Sequence, residues 1–316
     1  MAAKVVTTGA INWDVNLFVD RIVSSGEEVP VKRLTRVPGG KAANVAVAVA
    51  RLLGRGGCAV LGAVGDDDVG KRHLRIFEDE GVDTSALLTL EGVESGQAHI
   101  MIDAEGRNQI YTHFGANAAL DEKLARSERA AGLLRGAKAL VAMDPPLHYT
   151  RALFESLPDD ILVVWAPGVR TLGSEQEVIG LLKHARYLVL NEQELAGLTS
   201  RRSVEEGYRY LSAAAPGLKL MVTLGSQGAV LMGGKRTVRT AGIEINRAGL
   251  KVVNTVGCGD AFIGCFAASV VEGMTEQDAL RRANFAGAFK ATKAETRGSP
   301  TAAELDGFMS RFERAE

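Results

Sequence analysis

What most constrains this chain is a rhythm: short, near-continuous aliphatic and β-branched runs, each followed by an amphipathic stretch. The runs are Val5-Val6-Thr7-Thr8, Ala59-Val60-Leu61, Ala139-Leu140-Val141-Ala142, Ile161-Leu162-Val163-Val164, Leu188-Val189-Leu190 and Leu220-Met221-Val222-Thr223. A strand without polar alternation has to be covered on both faces, and helices alternating with parallel strands supply that cover. Between the runs, Lys41 to Leu53 places Val45, Val49 and Leu52 at helical spacing, and Phe262, Phe266 and Val270 do the same. The pattern predicts an α/β fold, doubly wound, with a mainly parallel sheet flanked by helices. A length of 316 residues accommodates two domains or one large α/β unit. No internal repeat or Pro/Ser-rich linker divides it, so a single domain over 1–316 is expected.

Two segments break the rhythm. Val29 to Val37 alternates apolar and polar residues, as does Ala98-His99-Ile100-Met101-Ile102, which meets Gln109-Ile110-Tyr111-Thr112 across the turn Asp103-Ala104-Glu105-Gly106. Alternation marks antiparallel strands with one wet face. With Val15 to Val19 they predict a small β-sheet lid, inserted at about 15–37 and 97–113 and folded over a ligand cleft. The alternation of Ile100/Ile102 with Ile110/Thr112 implies an apolar face that a thin sheet cannot bury alone, so a homodimer through the lid is expected.

Composition narrows the function classes. Thirty-seven Lys+Arg against thirty-eight Asp+Glu lacks the basic excess of a phosphate-backbone binder, so nucleic acid is not an expected partner. The cysteines Cys58, Cys258 and Cys265 form no CxxC pair and leave an odd thiol, which suits neither a disulfide framework nor a zinc site and fits the cytoplasm. The N-terminus lacks the charged-then-apolar pattern of a signal peptide, and the apolar stretch Ala261 to Val271 falls short of the roughly 18 residues that cross a bilayer. Neither export nor a membrane is expected.

Glycine is in excess, 36 of 316 residues, about 11% against a usual share of about 7%. Many of these glycines fall where a strand turns into a helix. The strongest such turn is Asn254-Thr255-Val256-Gly257-Cys258-Gly259-Asp260, opening the helix that carries Phe262, with Lys251-Val252-Val253 before it read as a short strand. Glycines at a helix N-terminus expose backbone N–H groups to an anion, and the helix dipole adds to the attraction. Asp260 beside that cradle is placed either to take a proton from an attacking hydroxyl or simply to cap the helix. A dinucleotide GxGxxG is excluded by Phe262 at the third glycine position. A Walker reading of Gly65 to Lys71 is excluded by Arg72 and three aspartates, which make a polar loop entering a helix.

Near the N-terminus, Asn12 and Asp14 follow the first strand, and Gly39-Gly40-Lys41-Ala42-Ala43-Asn44 forms a second glycine turn into a helix. Together they offer the donors and acceptors that discriminate a polyhydroxylated substrate, although each alone also reads as a structural residue. Asn191 and Glu194, three apart at a strand end, suit either a hydrated Mg²⁺ or a capping box. Thr223-Leu224-Gly225-Ser226-Gln227-Gly228 is either a phosphate contact or a tight turn. The histidines show no metal-ligand spacing.

In order along the chain, Gly9-Ala10-Ile11-Asn12-Trp13-Asp14, Gly39-Gly40-Lys41 with Asn44, Gly65-Asp66-Asp67 with Gly70, Gly115-Ala116-Asn117, Asn191 with Glu194, Thr223-Leu224-Gly225-Ser226 with Gly228, and Gly257 to Asp260 resemble the ribokinase-like sugar and nucleoside kinases of the PfkB family. The resemblance covers nearly the whole chain. It implies transfer of the γ-phosphoryl group of ATP, with Mg²⁺, to a substrate hydroxyl. Asp260 would be the base, and Gly257, Cys258 and Gly259 the anion hole. Asn12, Asp14, Gly40, Lys41, Asn44 and Asp144 would hold the substrate. Asn191 and Glu194 would organise Mg²⁺ through water, and Thr223, Gly225, Gly228 and Asn284 would line the nucleotide.

The sequence departs from the family at two of these positions. Asn254 stands where many relatives carry an aspartate similar to a monovalent-cation ligand, which implies weak dependence on potassium. Cys258 replaces a common alanine, but the role belongs to its backbone. Ribose leads among the implied sugars, because Gly115-Ala116-Asn117-Ala118-Ala119-Leu120 and the Asp144 region are most similar to ribokinase. A nucleoside kinase or a phosphofructokinase-type enzyme is the alternative, with Arg33, Arg36 and Arg107 available to a substrate phosphate. A non-catalytic sugar- or nucleotide-binding regulator is the reading from another class, and an intact Asp260 argues against it.

Overall fold

The computed structural model describes residues 3–168, 171 and 173–313. Its strands, in chain order, are β1 (Val5–Gly9), β2 (Asn12–Phe18), β3 (Arg33–Gly39), β4 (Cys58–Gly65), β5 (Leu87–Leu90), β6 (Gly96–Ile102), β7 (Asn108–His113), β8 (Ala139–Met143), β9 (Leu162–Ala166), β10 (Tyr187–Asn191), β11 (Lys219–Thr223), β12 (Gly228–Gly233) and β13 (Arg236–Ala241). They form a nine-stranded sheet of order β13-β12-β11-β10-β9-β8-β1-β4-β5 and a four-stranded sheet of order β3-β2-β6-β7.

The large sheet is parallel from β11 through β5, and only β12 runs against the rest, pairing antiparallel with both β11 and β13. The apolar runs are continuous because neighbouring residues enter opposite cores. Val5, Val141, Val189 and Met221 pack on one side with the helices Lys41–Leu53, Cys258–Val271 and Glu276–Ala291. Val6, Leu140, Leu188 and Leu220 pack on the other, with helices that include Leu147–Phe154 and Val204–Ala214. Each such side chain withdrawn from water contributes about 1.5–3 kcal/mol, which makes cover on both faces decisive. From β1 the sheet grows through β4 and β5 on one side and through β8 to β11 on the other. A crevice therefore opens at the C-terminal ends of β1 and β8, where such folds bind ligands.

In the small sheet β2 pairs antiparallel with β3 and parallel with β6, and β6 pairs antiparallel with β7. The register aligns Asp14 with Ala98 and Thr112, and Asn16 with Ile100 and Ile110, on one face. The turn at Asp103 forms as read, with Gly106 N–H donating to Asp103 O at 3.0 Å.

Two sequence readings need correction. The strand expected from Val29 begins only at Arg33, since Pro30 has no N–H to donate and pairing with β2 starts at Arg33↔Phe18. No strand forms at Lys251-Val252-Val253: Val253 N–H donates at 2.7 Å to Ala291 O at the end of a helix, and Val252 and Val253 stay exposed.

Candidate active site

Chain geometry at the crevice brings the N-terminal candidates together. Asn12 and Asp14 start β2 and are buried although polar, at 8% exposure each. Asn117, from the Gly115-Ala116-Asn117 motif, accepts from Ile11 N–H at 2.9 Å and donates at 2.8 Å to Asn12 Oδ1, which fixes the Asn12 amide. Gly39 ends β3 against Asp14, where a Cβ would lie 2.1 Å from Asp14 Oδ2, so only glycine lets the carboxylate sit there. Gly40 caps the helix Lys41–Leu53 without a side-chain bond. Lys41, in its first turn, reaches Asp144 Oδ2 at 3.5 Å, and Asp144 sits just past β8 with φ 53°.

The helix Cys258–Val271 starts from Gly257, whose φ of 85° is left-handed and whose Cβ would meet Thr296 O at 2.3 Å. Its ladder begins with Ala261 N–H on Gly257 O, and Cys258 N–H turns back to Thr255 O at 3.2 Å. The N–H groups of Gly259 and Asp260 therefore lie ahead of the ladder, where a helix end receives an anion.

The half-buried Asp260 carboxylate accepts from Asn44 Nδ2 at 2.8 Å. Burial pushes its pKa above the usual carboxylate range, against the opposing pull of the Asn44 hydrogen bond and of Lys41, Arg297 and Lys290. Asp14 is pushed up to about 7, chiefly by burial; Arg297 opposes the shift and the Asp260 charge adds to it. The residues on this side thus present a basic carboxylate beside backbone donors, next to a buried polar cluster.

Sequence reasoning missed Arg297. This buried guanidinium donates Nε–H to Asn44 Oδ1 at 3.0 Å and a terminal N–H to Gly39 O at 2.7 Å. It thereby fixes which way the Asn44 amide faces, leaving Nδ2 for Asp260. The only signal was a lone basic residue in Glu295-Thr296-Arg297-Gly298, far from the other candidates in sequence. His73, buried and in T-shaped contact with Trp13, packs beside this arginine and is held neutral, its pKa lowered to about 3 mainly by burial.

On the other side of the cradle lies a cavity of about 580 Å³, lined in part by Thr223, Gly225, Gly228, Cys258, Gly259 and Asn284. Asn284 Nδ2 donates to Ala241 O at 2.6 Å, tying the helix Glu276–Ala291 to β13. The nucleotide-side candidates therefore share one wall. Asn191 and Glu194 stand apart from that lining: the structure builds the capping box, with Glu194 N–H on Asn191 Oδ1 at 2.8 Å and Asn191 N–H on Glu194 Oε2 at 3.0 Å. Register places Asn191 beside Thr223. The described residues hold no group of His, Cys, Asp and Glu able to enclose a metal. A lone carboxylate such as Glu194 fits a Mg²⁺ that keeps its waters and phosphate ligands.

The arginines considered for a substrate phosphate lie elsewhere. Arg107 binds Asp103 within its own hairpin at 2.8 Å, Arg36 pairs with Val15 on the face away from Asp14, and Arg33 stacks on Phe18. No helix among the described residues is long and apolar enough to cross a membrane.

Comparison with known proteins agrees with this geometry. The model of the pfkB family carbohydrate kinases matches residues 2–302. The chain is 29% identical to an ATP-dependent ribose-1-phosphate kinase of Halopiger xanaduensis, over 98% of this chain and 99% of that one. It is 30% identical to a ribokinase of Bacillus subtilis, over 97% and 99%. The solved Arabidopsis thaliana ribokinase complexed with ribose and ATP superposes with a TM-score of 0.82 at 25% identity, covering 98% of this chain and 99% of that one. A family match along almost its whole length, together with an α/β fold carrying a second small sheet, shows that this chain belongs to the pfkB family of carbohydrate kinases.

Proposed function

We propose that this chain moves the γ-phosphoryl group of ATP to a hydroxyl of a small unphosphorylated sugar, ribose first among the candidates, with Asp260 as the general base. The observation that carries this reading is the position of Asp260. It has a raised pKa and lies in the first turn of a helix, with the polar cluster of Asn12, Asp14, Lys41, Asn44 and Asp144 on one side and the 580 Å³ cavity on the other. The cluster holds the sugar, with the buried Asp14 accepting hydrogen bonds from its hydroxyls. The cavity takes the nucleotide, with Asn284, Thr223, Gly225 and Gly228 in its wall.

Asp260 removes the proton of the attacking hydroxyl, and its elevated pKa makes it a stronger acceptor for that proton than an ordinary carboxylate. Backbone N–H groups of Gly259 and Asp260, with the helix dipole, receive the charge that develops on the phosphoryl oxygens. The engaged Cys258 N–H contributes by holding the turn. Asn44, oriented by Arg297, keeps Asp260 aimed. Mg²⁺, when bound, would neutralise phosphate charge, with Asn191 and Glu194 placing its water shell. The small sheet acts as a lid that delivers Asp14 to the crevice. The placing of Arg36 on the face away from Asp14 and the bonding of Arg107 to Asp103 favour an unphosphorylated acceptor, and the buried thiols Cys58 and Cys265 fit a cytoplasmic enzyme.

The test is ADP release with ATP and a panel of ribose, ribose 1-phosphate, fructose, fructose 6-phosphate, 2-keto-3-deoxygluconate, cytidine, inosine and adenosine. Ribose should give the highest kcat/KM. Asp260→Asn should lower turnover by about 10² to 10⁴ while leaving ATP and sugar affinity near normal. Preference for a phosphorylated sugar or a nucleoside would overturn the acceptor assignment, and near-normal turnover of Asp260→Asn would reduce that residue to a cap.

A further inference from the structure

Behind the anion cradle lies a charge that the proposed reaction does not yet use. Lys290, in the last turn of the helix Glu276–Ala291, is fully buried, and its Nζ donates to Asn254 O at 2.9 Å. The Asn254 side chain closes the same turn from the other direction: Nδ2 donates to Ala294 O at 2.8 Å and Oδ1 accepts from Val256 N–H at 2.9 Å. A dissolved monovalent cation, which the family resemblance implies near Asn254, needs free oxygens facing an open space. Here Asn254 O and Ala294 O already accept from the chain's own N–H donors, and no carboxylate stands at 254. The residues present do not fit such an ion.

A buried ammonium is costly to desolvate and persists only where nearby negative charge or carbonyl oxygen repays it. Burial lowers the Lys290 pKa below the ordinary lysine value, and the charges of Cys258, Glu295 and Asp260 oppose that shift, while Asn254 O accepts directly from the ammonium. We infer that Lys290 is a built-in cation, a positioning residue that locks the 254–258 turn and adds a fixed positive charge behind the anion cradle, so that phosphoryl transfer needs no dissolved monovalent cation. A positive charge in a water-poor site acts on a developing phosphate charge more strongly than one in solvent. The hydrogen bond to Asn254 O meanwhile holds the residues that aim the Gly259 and Asp260 N–H groups. The inference rests on the reading of 254–260 as the phosphoryl cradle.

The experiment measures turnover with ribose and ATP, and ATP affinity by calorimetry, in choline chloride, in sodium chloride and in potassium chloride. The unchanged protein should turn over equally in all three, and a strict requirement for potassium would overturn the inference. Lys290→Ala, which leaves a space, should lose turnover in choline by at least about tenfold and recover it on addition of ammonium or methylammonium. Lys290→Met, which fills that space with an apolar chain, should show the same loss without recovery. Full turnover of either variant in choline would refute the role. So would an Ala variant of unchanged melting temperature whose loss no small cation restores. If neither variant folds, the cation profile of the unchanged protein decides. Failure of the kinase reading itself would show differently, as absence of ADP release with every acceptor; ATP affinity in choline, weaker in Lys290→Ala and restored by ammonium, then still tests the charge.

Discussion

The sharpest consequence of this site is a sugar affinity that depends on pH around neutrality. Asp14 is 8% exposed and its pKa is pushed up to about 7, because burial outweighs the attraction of Arg297 and the Asp260 charge opposes a second anion. The ionised carboxylate accepts through both oxygens, whereas protonation turns one of them into a donor and weakens the other as an acceptor. Its ionised share rises from about one tenth at pH 6 to about nine tenths at pH 8, so sugar affinity should strengthen about tenfold across that interval. Binding should release close to one proton at pH 6 and almost none at pH 8. Calorimetry with sugar alone, in buffers of different ionisation enthalpy, reads both quantities, and omitting ATP keeps phosphate ionisation out of the signal.

The same shift acts on stability. The folded protein keeps the Asp14 proton up to about pH 7, whereas the unfolded chain releases it near the ordinary aspartate value of 3.8. Between these values the folded state binds more protons, so stability falls as pH rises, by up to about 4 kcal/mol from this group above pH 7. Asp14→Asn should therefore melt higher than the parent at pH 8 and bind sugar weakly at every pH. A flat affinity between pH 6 and 8, or the same slope persisting in Asp14→Asn, would refute the reasoning.

Three further outcomes follow from the geometry. Arg297→Met removes the charge that opposes the shift of Asp14 and the donor that orients Asn44, so the midpoint for sugar binding should move above pH 7 and turnover should fall; an unmoved midpoint counts against the arginine. Gly257→Ala has to place a Cβ 2.3 Å from Thr296 O at a φ of 85°, so it should cost about 2 kcal/mol or more in chemical denaturation and abolish most ADP release; a fully stable, active variant would contradict the cradle geometry. Ile110, 55% exposed on the same face of the small sheet as Ile100, should seat against a second copy, so light scattering at micromolar concentration should give a dimer and Ile110→Glu a monomer; a monomeric parent removes that expectation.

The parallel core was legible because strands buried on both faces leave a signature few other structures share: Val5 and Val6, or Leu188 and Val189, both apolar and both in a core. The edge hairpin of β12 and β13 was not, since Arg236-Thr237-Val238-Arg239 packs on one face only and reads as loop. Gly257, Asp260 and Lys41 could be singled out as candidates because glycine turns at helix starts are local in sequence, and Asp14 because it closely follows the first strand. Arg297 and Lys290 were not, because their work is done across the fold. Arg297 meets Asn44 over a separation of 253 residues, and Lys290 meets Asn254 over 36. A lone arginine or a lysine in the last turn of a helix reads as a solvated charge until the packing shows it buried.

The buried Arg297 explains how two elevated carboxylates coexist in one crevice. Asp14 and Asp260 repel, so each makes ionisation of the other harder, and Arg297 attracts both. When sugar hydroxyls donate to Asp14, they favour its ionised form and raise the negative potential at Asp260. Repulsion is mutual, so the base becomes more basic only once an acceptor is held beside it. With the crevice empty, Asp14 near neutrality is about half protonated, and Asp260 is correspondingly a weaker base toward water. With Asp260 as the proposed base and Asp14 as the proposed sugar anchor, the arrangement would tie proton removal to the presence of sugar, and it predicts that Asp14→Asn loses turnover through kcat as well as KM. A loss confined to KM would show that the two carboxylates act independently.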